Sequence, residues 1–148
     1  MRPRALTPLT RTTRFARSPV RPFARSPGND IHRGALDLCM ENVNRAGVSK
    51  LVELNHGDVG SLELGGVKAP LVVTNPPWGQ RLGAEDQDGV EAAWSSLGSF
   101  LKHQCQGGSA YVLSGDSSVT KALRLKSTKR VGITVGNVNC KVLEYHMY

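Results

Sequence analysis

The apolar positions of the 148-residue chain change period several times, and each change marks an element. Between Ile31 and Ala46, the residues Ala35, Leu36, Cys39, Val43 and Ala46 share one face at helical spacing, and Gly47 supplies a C-terminal stop. That pattern predicts an amphipathic helix. Leu51–Asn55 predicts a short strand running into His56-Gly57-Asp58. Pro70-Leu-Val-Val-Thr74 is a continuous apolar run, the pattern of a buried parallel strand. Val90, Trp94, Leu97 and Leu101 fall at i, i+4, i+7 and i+11, which predicts a second helix over 88–104, closed by Gly107-Gly108. Ser109–Ser114 predicts another strand. Asp116 or Ser117 can cap a short helix reaching to about Leu123. Lys129–Val135 and Asn139–Tyr145 flank Gly136-Asn137, which is a hairpin signal.

Strands alternating with helices imply an α/β fold with a parallel sheet and helices on both faces, here followed by an antiparallel hairpin. Such sheets bind ligands at the carboxyl ends of their strands. The polar residues that follow the predicted strands are therefore the ones that matter for function.

Composition changes this picture at one place. All 16 glycines lie at or after Gly28, while 1–27 hold five prolines, seven arginines, no lysine and no acid. Those prolines forbid a sustained helix or a central strand. We therefore divide the chain into a disordered Arg/Pro/Ser-rich leader over 1–27 and a folded body over 28–148. The leader fits an organellar transit peptide, a misjoined first exon or an RNA-binding basic arm. The body of roughly 120 residues is large enough for one modest core.

Charge follows the same division. The formal net charge is +7, but 28–148 carry 12 basic and 12 acidic residues. The high isoelectric point belongs to the leader, so overall charge is no argument that the body binds nucleic acid. No apolar run reaches 18 residues, which argues against a membrane span. Cys39, Cys105 and Cys140 are scattered and odd in number, which suggests reduced intracellular thiols and neither a disulfide framework nor a zinc site. His32, His56, His103 and His146 show no metal-ligand spacing. The expected location is the cytoplasm, or a chloroplast or mitochondrion if the leader is a transit peptide.

The candidate chemistry sits in Asn75-Pro76-Pro77-Trp78-Gly79, directly after the apolar strand. Chance yields an Asn-Pro-Pro-aromatic match in roughly one chain per thousand of this length. The sequence suits methyl transfer to an exocyclic amine. Such an amine is a poor nucleophile, because its lone pair is delocalised into the base. Two acceptors on its N–H bonds draw it towards sp³ geometry and free the lone pair. The Asn75 side-chain oxygen can be one acceptor and the Pro76 carbonyl the other. The prolines hold both in place. Trp78 can stack on an extruded base, and Gly79 lets the chain pass close to it. The competing reading is a rigid turn with a core-packing Trp.

The stretch Val73-Thr-Asn-Pro-Pro-Trp-Gly-Gln-Arg-Leu-Gly83 resembles the catalytic loop of class I S-adenosylmethionine-dependent RNA methyltransferases. It is most similar to the RlmK/L-like, THUMP-associated, UPF0020-type group, which acts on the 2-amino group of guanine in ribosomal RNA or tRNA. That group commonly has Tyr at the position of Trp78 and Glu at that of Gln80; Trp also stacks, and Gln80 keeps an acceptor. The resemblance covers 28–148. It implies S-adenosylmethionine as cofactor, with Asp30 binding its ribose hydroxyls, Asp58 its adenine amino group, and Asn75 at its reactive end. Asn75, Pro76, Pro77 and Trp78 become the catalytic residues by the same comparison. Trp78, Gly79 and Arg81 become the substrate-binding ones, with Arg81 near RNA phosphate.

The resemblance also implies a first strand and a Gly-rich loop ahead of Asp30. Residues 1–27 contain neither, and nothing resembles a THUMP domain. The expectation is an incomplete Rossmann-like class I sheet, N-terminally truncated, with an opening where the central first strand belongs. Three other functions compete with guanine-N2 methylation: adenine-N6 methylation of RNA or DNA, a catalytically inactive truncated pseudoenzyme binding RNA or a partner subunit, and methylation of a protein glutamine. The Trp-Gly-Gln-Arg-Leu-Gly continuation argues against the last by resemblance. RNA is the expected partner, with no metal and no membrane.

Overall fold

A computed structural model describes residues 26–78 and 87–148. Of the expected leader, only Ser26 and Pro27 fall within that range. The chain order is β1 (Ser26–Asp30), α1 (Arg33–Arg45), β2 (Val52–His56), a 3-10 turn (Val59–Ser61), β3 (Leu71–Thr74) and α2 (Gln87–Gln104). β4 (Ser109–Ser114), a 3-10 helix (Val119–Leu123), β5 (Lys129–Val135) and β6 (Val138–His146) complete it. The boundary expected at Gly28 thus falls inside a strand.

The sequence of β1, Ser-Pro-Gly-Asn-Asp, carries no apolar side chain apart from the proline ring. Parallel pairing with β2 holds it, from Ser26 opposite Val52 to Asp30 opposite His56. Pro27 is tolerated because, among the described residues, β1 pairs with β2 alone and the missing N–H interrupts no bond of that ladder. α1 follows and ends at Gly47, whose φ of +70° suits a glycine better than any other residue. Leu36, Cys39 and Val43 of its predicted apolar face are half-buried, whereas Ala35 and Ala46 are exposed. No α1 residue is fully buried.

Among the described residues the strands form two sheets, in keeping with the expected opening in the sheet. One is β1-β2; the other has the order β3-β4-β6-β5. β3 and β4 are parallel, and β6 runs antiparallel to both β4 and β5. The expectation that β3 is buried on both faces is corrected. Leu71 is 68% and Val73 75% exposed, while Val72 and Thr74 between them are half-buried. The reason is position: among the described residues β3 is an edge strand, and only its Val72 face packs against the core.

The core forms where α2 lies on β4 and β6. The predicted stripe Val90, Trp94, Leu97 and Leu101 is buried, together with Phe100, Ala110, Val112, Leu143 and Tyr145. The short helix expected up to Leu123 is a 3-10 helix, stopped by Arg124 in the left-handed region at φ 50°. Gly98 lets its end approach α2: a Cβ there would lie 2.5 Å from the Leu123 carbonyl oxygen and 2.9 Å from its Cα. Gly98→Ala is therefore expected to cost about 1–3 kcal/mol through overpacking. A lowered urea midpoint at unchanged slope would register it. Gly132→Ala meets open space and serves as the comparison.

Candidate functional site

Asn75 leaves β3 at its carboxyl end, and the two prolines carry the chain towards α2 without a backbone N–H to satisfy. The Trp94 indole, wholly buried, donates from Nε1 to the Pro77 carbonyl at 2.7 Å. A buried indole N–H needs an acceptor, and this one finds it on the loop. α2 thereby fixes the height of the Asn75–Trp78 segment above the sheet.

Trp78 is half-buried and has two constraints of its own. Its Nε1 donates to Asn75 Oδ1 at 3.0 Å. Its ring lies against the backbone of Gly115, where any Cβ would overlap the ring carbons. The indole donor orients the Asn75 carboxamide oxygen, which keeps a second lone pair for another donor. No described residue donates to the Pro76 carbonyl. Two acceptors at neighbouring positions, one shared with Trp78 and one without a donor among the described residues, therefore stand beside an aromatic face.

The opposite wall is the turn after β4. Buried Ser114 donates from Oγ to the Asp116 carbonyl at 2.6 Å and accepts from the Asp116 N–H at 3.2 Å. The Ser118 N–H donates to Asp116 Oδ1 at 2.7 Å. Hydrogen bonds from the Ser118 backbone and then its side chain hold the Asp116 carboxyl below the ordinary carboxylate range, against a small opposing effect of burial.

Asp30 and Asp58 come together on the other sheet, at the adjoining carboxyl ends of β1 and β2. The Gly57 N–H donates to the Asp30 carbonyl at 3.1 Å, Asn29 Nδ2 to the Gly57 carbonyl at 2.8 Å, and His56 Nε2 to the Ile31 carbonyl at 3.1 Å. Each carboxylate also closes a local turn. Asp30 Oδ1 accepts from the His32 N–H, and Asp58 Oδ1 from the Gly60 N–H, both at 2.7 Å. One oxygen of each is not used in its turn. The Asp58 turn touches α2: a Cβ on Gly60 would lie 3.4 Å from Ser96 Cβ. The two halves of the site are thus linked through α2, but they belong to different sheets.

Gly79 and Arg81 lie outside the described residues. Among those described, no group of three or more His, Cys, Asp or Glu could hold a metal ion, and no helix is long and apolar enough to cross a membrane. Sequence reasoning missed Trp94 and Gly115 as parts of the site. The signal for Trp94 was present, since a Trp on a buried helical stripe must find an acceptor. Nothing in the sequence aimed it at Pro77.

The family model UPF0020, described as RMKL-like, methyltransferase domain, matches residues 5–144, beginning upstream of Gly28. The ribosomal RNA large subunit methyltransferase K/L of Vibrio parahaemolyticus is 33% identical over 119 residues, which is 80% of this chain and 16% of that protein. This chain thus spans a small part of the length of the curated relatives it matches. Among solved structures, a possible methylase from Clostridium difficile 630 superposes with a TM-score of 0.73 at 26% identity, covering 84% of this chain and 32% of that one. SMU.472 in complex with SAH gives a TM-score of 0.73 at 17% identity, over 82% of this chain and 31% of that one, a likeness of fold.

Proposed function

The chain belongs to the RMKL-like methyltransferase domain family, and from that premise we propose that it carries the substrate half of a site methylating an exocyclic base amine in RNA. The favoured target is the 2-amino group of guanine in ribosomal RNA or tRNA. The observation that carries the reading is the Asn75–Trp78 loop: two oxygen acceptors and an indole face at the carboxyl end of β3, held from behind by Trp94.

In this reading Asn75 Oδ1 and the Pro76 carbonyl accept the two N–H bonds of the base amine, and Trp78 stacks on the extruded base. Arg81 contacts phosphate beside it, and Gly79 admits the substrate. The cofactor of the reaction is S-adenosylmethionine, which when bound supplies the electrophilic methyl group. The residues present suit its nucleoside end. Asp30 and Asp58 stand on adjacent strand ends, each with a carboxylate oxygen that its own turn does not use, as ribose hydroxyls and an adenine amino group require.

Among the described residues, no strand joins the sheet that carries those carboxylates to the one that carries Asn75. The 148-residue chain is therefore expected to bind S-adenosylmethionine weakly or undetectably by calorimetry; a micromolar dissociation constant would overturn this. The same division favours a second reading, an inactive chain that binds RNA or a partner subunit. The test is incubation with ribosomal RNA and labelled S-adenosylmethionine at raised concentration, followed by digestion and mass spectrometry. Label in N2-methylguanosine supports the proposal, label in N6-methyladenosine moves it to the adenine alternative, and no label favours the inactive reading.

A further inference from the structure

The body of the protein is neutral, but its charge is unevenly placed. Residues 117–143 contain six basic residues, Lys121, Arg124, Lys126, Lys129, Arg130 and Lys141, and no acid. The rest of 28–148 holds the other six cations and all 12 acids. The fold gathers this basic stretch into the 3-10 helix and the β5–β6 hairpin, beside the turn that packs on Trp78.

A cavity of about 320 Å³ opens there, lined by Gly115, Asp116, Arg130, Lys141 and Tyr145 among others. Its cations are placed by strand register. Arg130 stands opposite Leu143 and Gly132 opposite Lys141, so Arg130 and Lys141 are diagonal neighbours on one face. Arg130 Nε donates to Ser127 Oγ at 2.8 Å, which aims the guanidinium while leaving its terminal nitrogens available. Among the described residues, neither cation has a carboxylate within ion-pairing distance. Burial keeps the Tyr145 phenol protonated, against the opposing effect of the Arg130 charge, so it is a further donor. Asp116 is the one acid in the wall, and its Oδ1 is already taken by the Ser118 N–H.

We propose that this cavity seats a phosphodiester of the substrate RNA strand, with Arg130 and Lys141 as its ligands, one wall away from the base stacked on Trp78. A volume of this size accommodates a phosphate with its ribose. Gly115 is the shared wall: Trp78 lies on one side of it and the cavity on the other. Phosphate contacts set register without reading sequence, which is what a loop acting on one extruded base requires from its surroundings. The inference rests on the reading of the substrate as RNA.

The test is fluorescence anisotropy of the whole 148-residue chain with a labelled single-stranded RNA across a salt series. The arginines of the leader are common to every variant and cancel in the comparison. Each phosphate left without its cations lowers the slope of log affinity against log salt by about 0.7 for a single strand, so Arg130→Gln with Lys141→Gln, which empties one seat, is expected to lower it by about that amount. The same charge removed on α1, by Arg33→Gln with Arg45→Gln, is expected to leave the slope unchanged. An unchanged slope in the first pair, or equal decreases in both pairs, would overturn the proposal. The chain has two tryptophans, so the indole N–H resonances separate this failure from that of the underlying reading. RNA that shifts the Trp78 signal with the slope unaltered removes the phosphate seat alone. RNA that shifts neither indole removes both.

Discussion

Trp94→Ala is expected to destabilise the protein by about 3–5 kcal/mol, the usual cost of removing a large aromatic side chain from a core. Trp94 is fully buried within the cluster that joins α2 to β4 and β6. A domain of this size has a total stability on the order of 5–15 kcal/mol, so this one change consumes much of it. Urea unfolding followed by far-ultraviolet circular dichroism measures the loss. A cost below about 1 kcal/mol would mean that the stripe on α2 is not the centre of the core. Trp94→Phe separates packing from positioning. Phe keeps most of the buried surface but cannot donate to the Pro77 carbonyl. The expected result is a smaller loss of stability, about 1–2 kcal/mol, from an unsatisfied carbonyl and a partly empty site. The Trp78 indole resonance should shift with it, because the loop is no longer anchored to α2.

Asn75→Ala is expected to lower the rate of methyl transfer to the base amine about 100- to 1000-fold, the range found when one positioned polar group is removed from a reacting centre. The physical argument is that Asn75 Oδ1 serves two donors. It holds the Trp78 indole at 3.0 Å and, in the proposed reaction, accepts one N–H of the amine. Truncation removes an acceptor and releases the stacking ring together. A structural readout accompanies the rate: hydrogen exchange at the Trp78 indole N–H should accelerate in Asn75→Ala. Asn75→Asp keeps an oxygen at that place and should preserve the protection. Trp78→Phe tests the other partner, since it retains a stacking face but no donor. Slower exchange in Asn75→Ala, or equal rates in both Asn75 variants, would contradict the assigned hydrogen bond.

Much of the fold was legible because its signals are local. The stripe Val90, Trp94, Leu97 and Leu101 identifies a helix and its buried face, since helix period and burial are written into the same four positions. Gly136-Asn137 between two β-rich runs identifies the hairpin, because few residues tolerate the backbone of so tight a turn. β1 carries no strand pattern of its own. Its residues have low strand preference, and pairing with β2 forms it. The short helix expected before Leu123 forms as a 3-10 helix, whose end packs closely on α2 at Gly98. The exposure of Leu71 and Val73 could not be read from an apolar run, because the run does not say how many faces of its strand are covered.

The sequence by itself determined the elements after β1, their order and the placement of Asn75-Pro-Pro-Trp78 after a strand, since turn residues and hydrophobic period act over a few positions. Only the tertiary structure decided what those groups touch. It set the Trp94 indole under Pro77, gave Asn75 Oδ1 to Trp78 and brought Arg130 beside Lys141 behind Gly115. Most of these contacts join residues far apart in the chain. They depend on strand register and on which surfaces pack, and no local pattern encodes either.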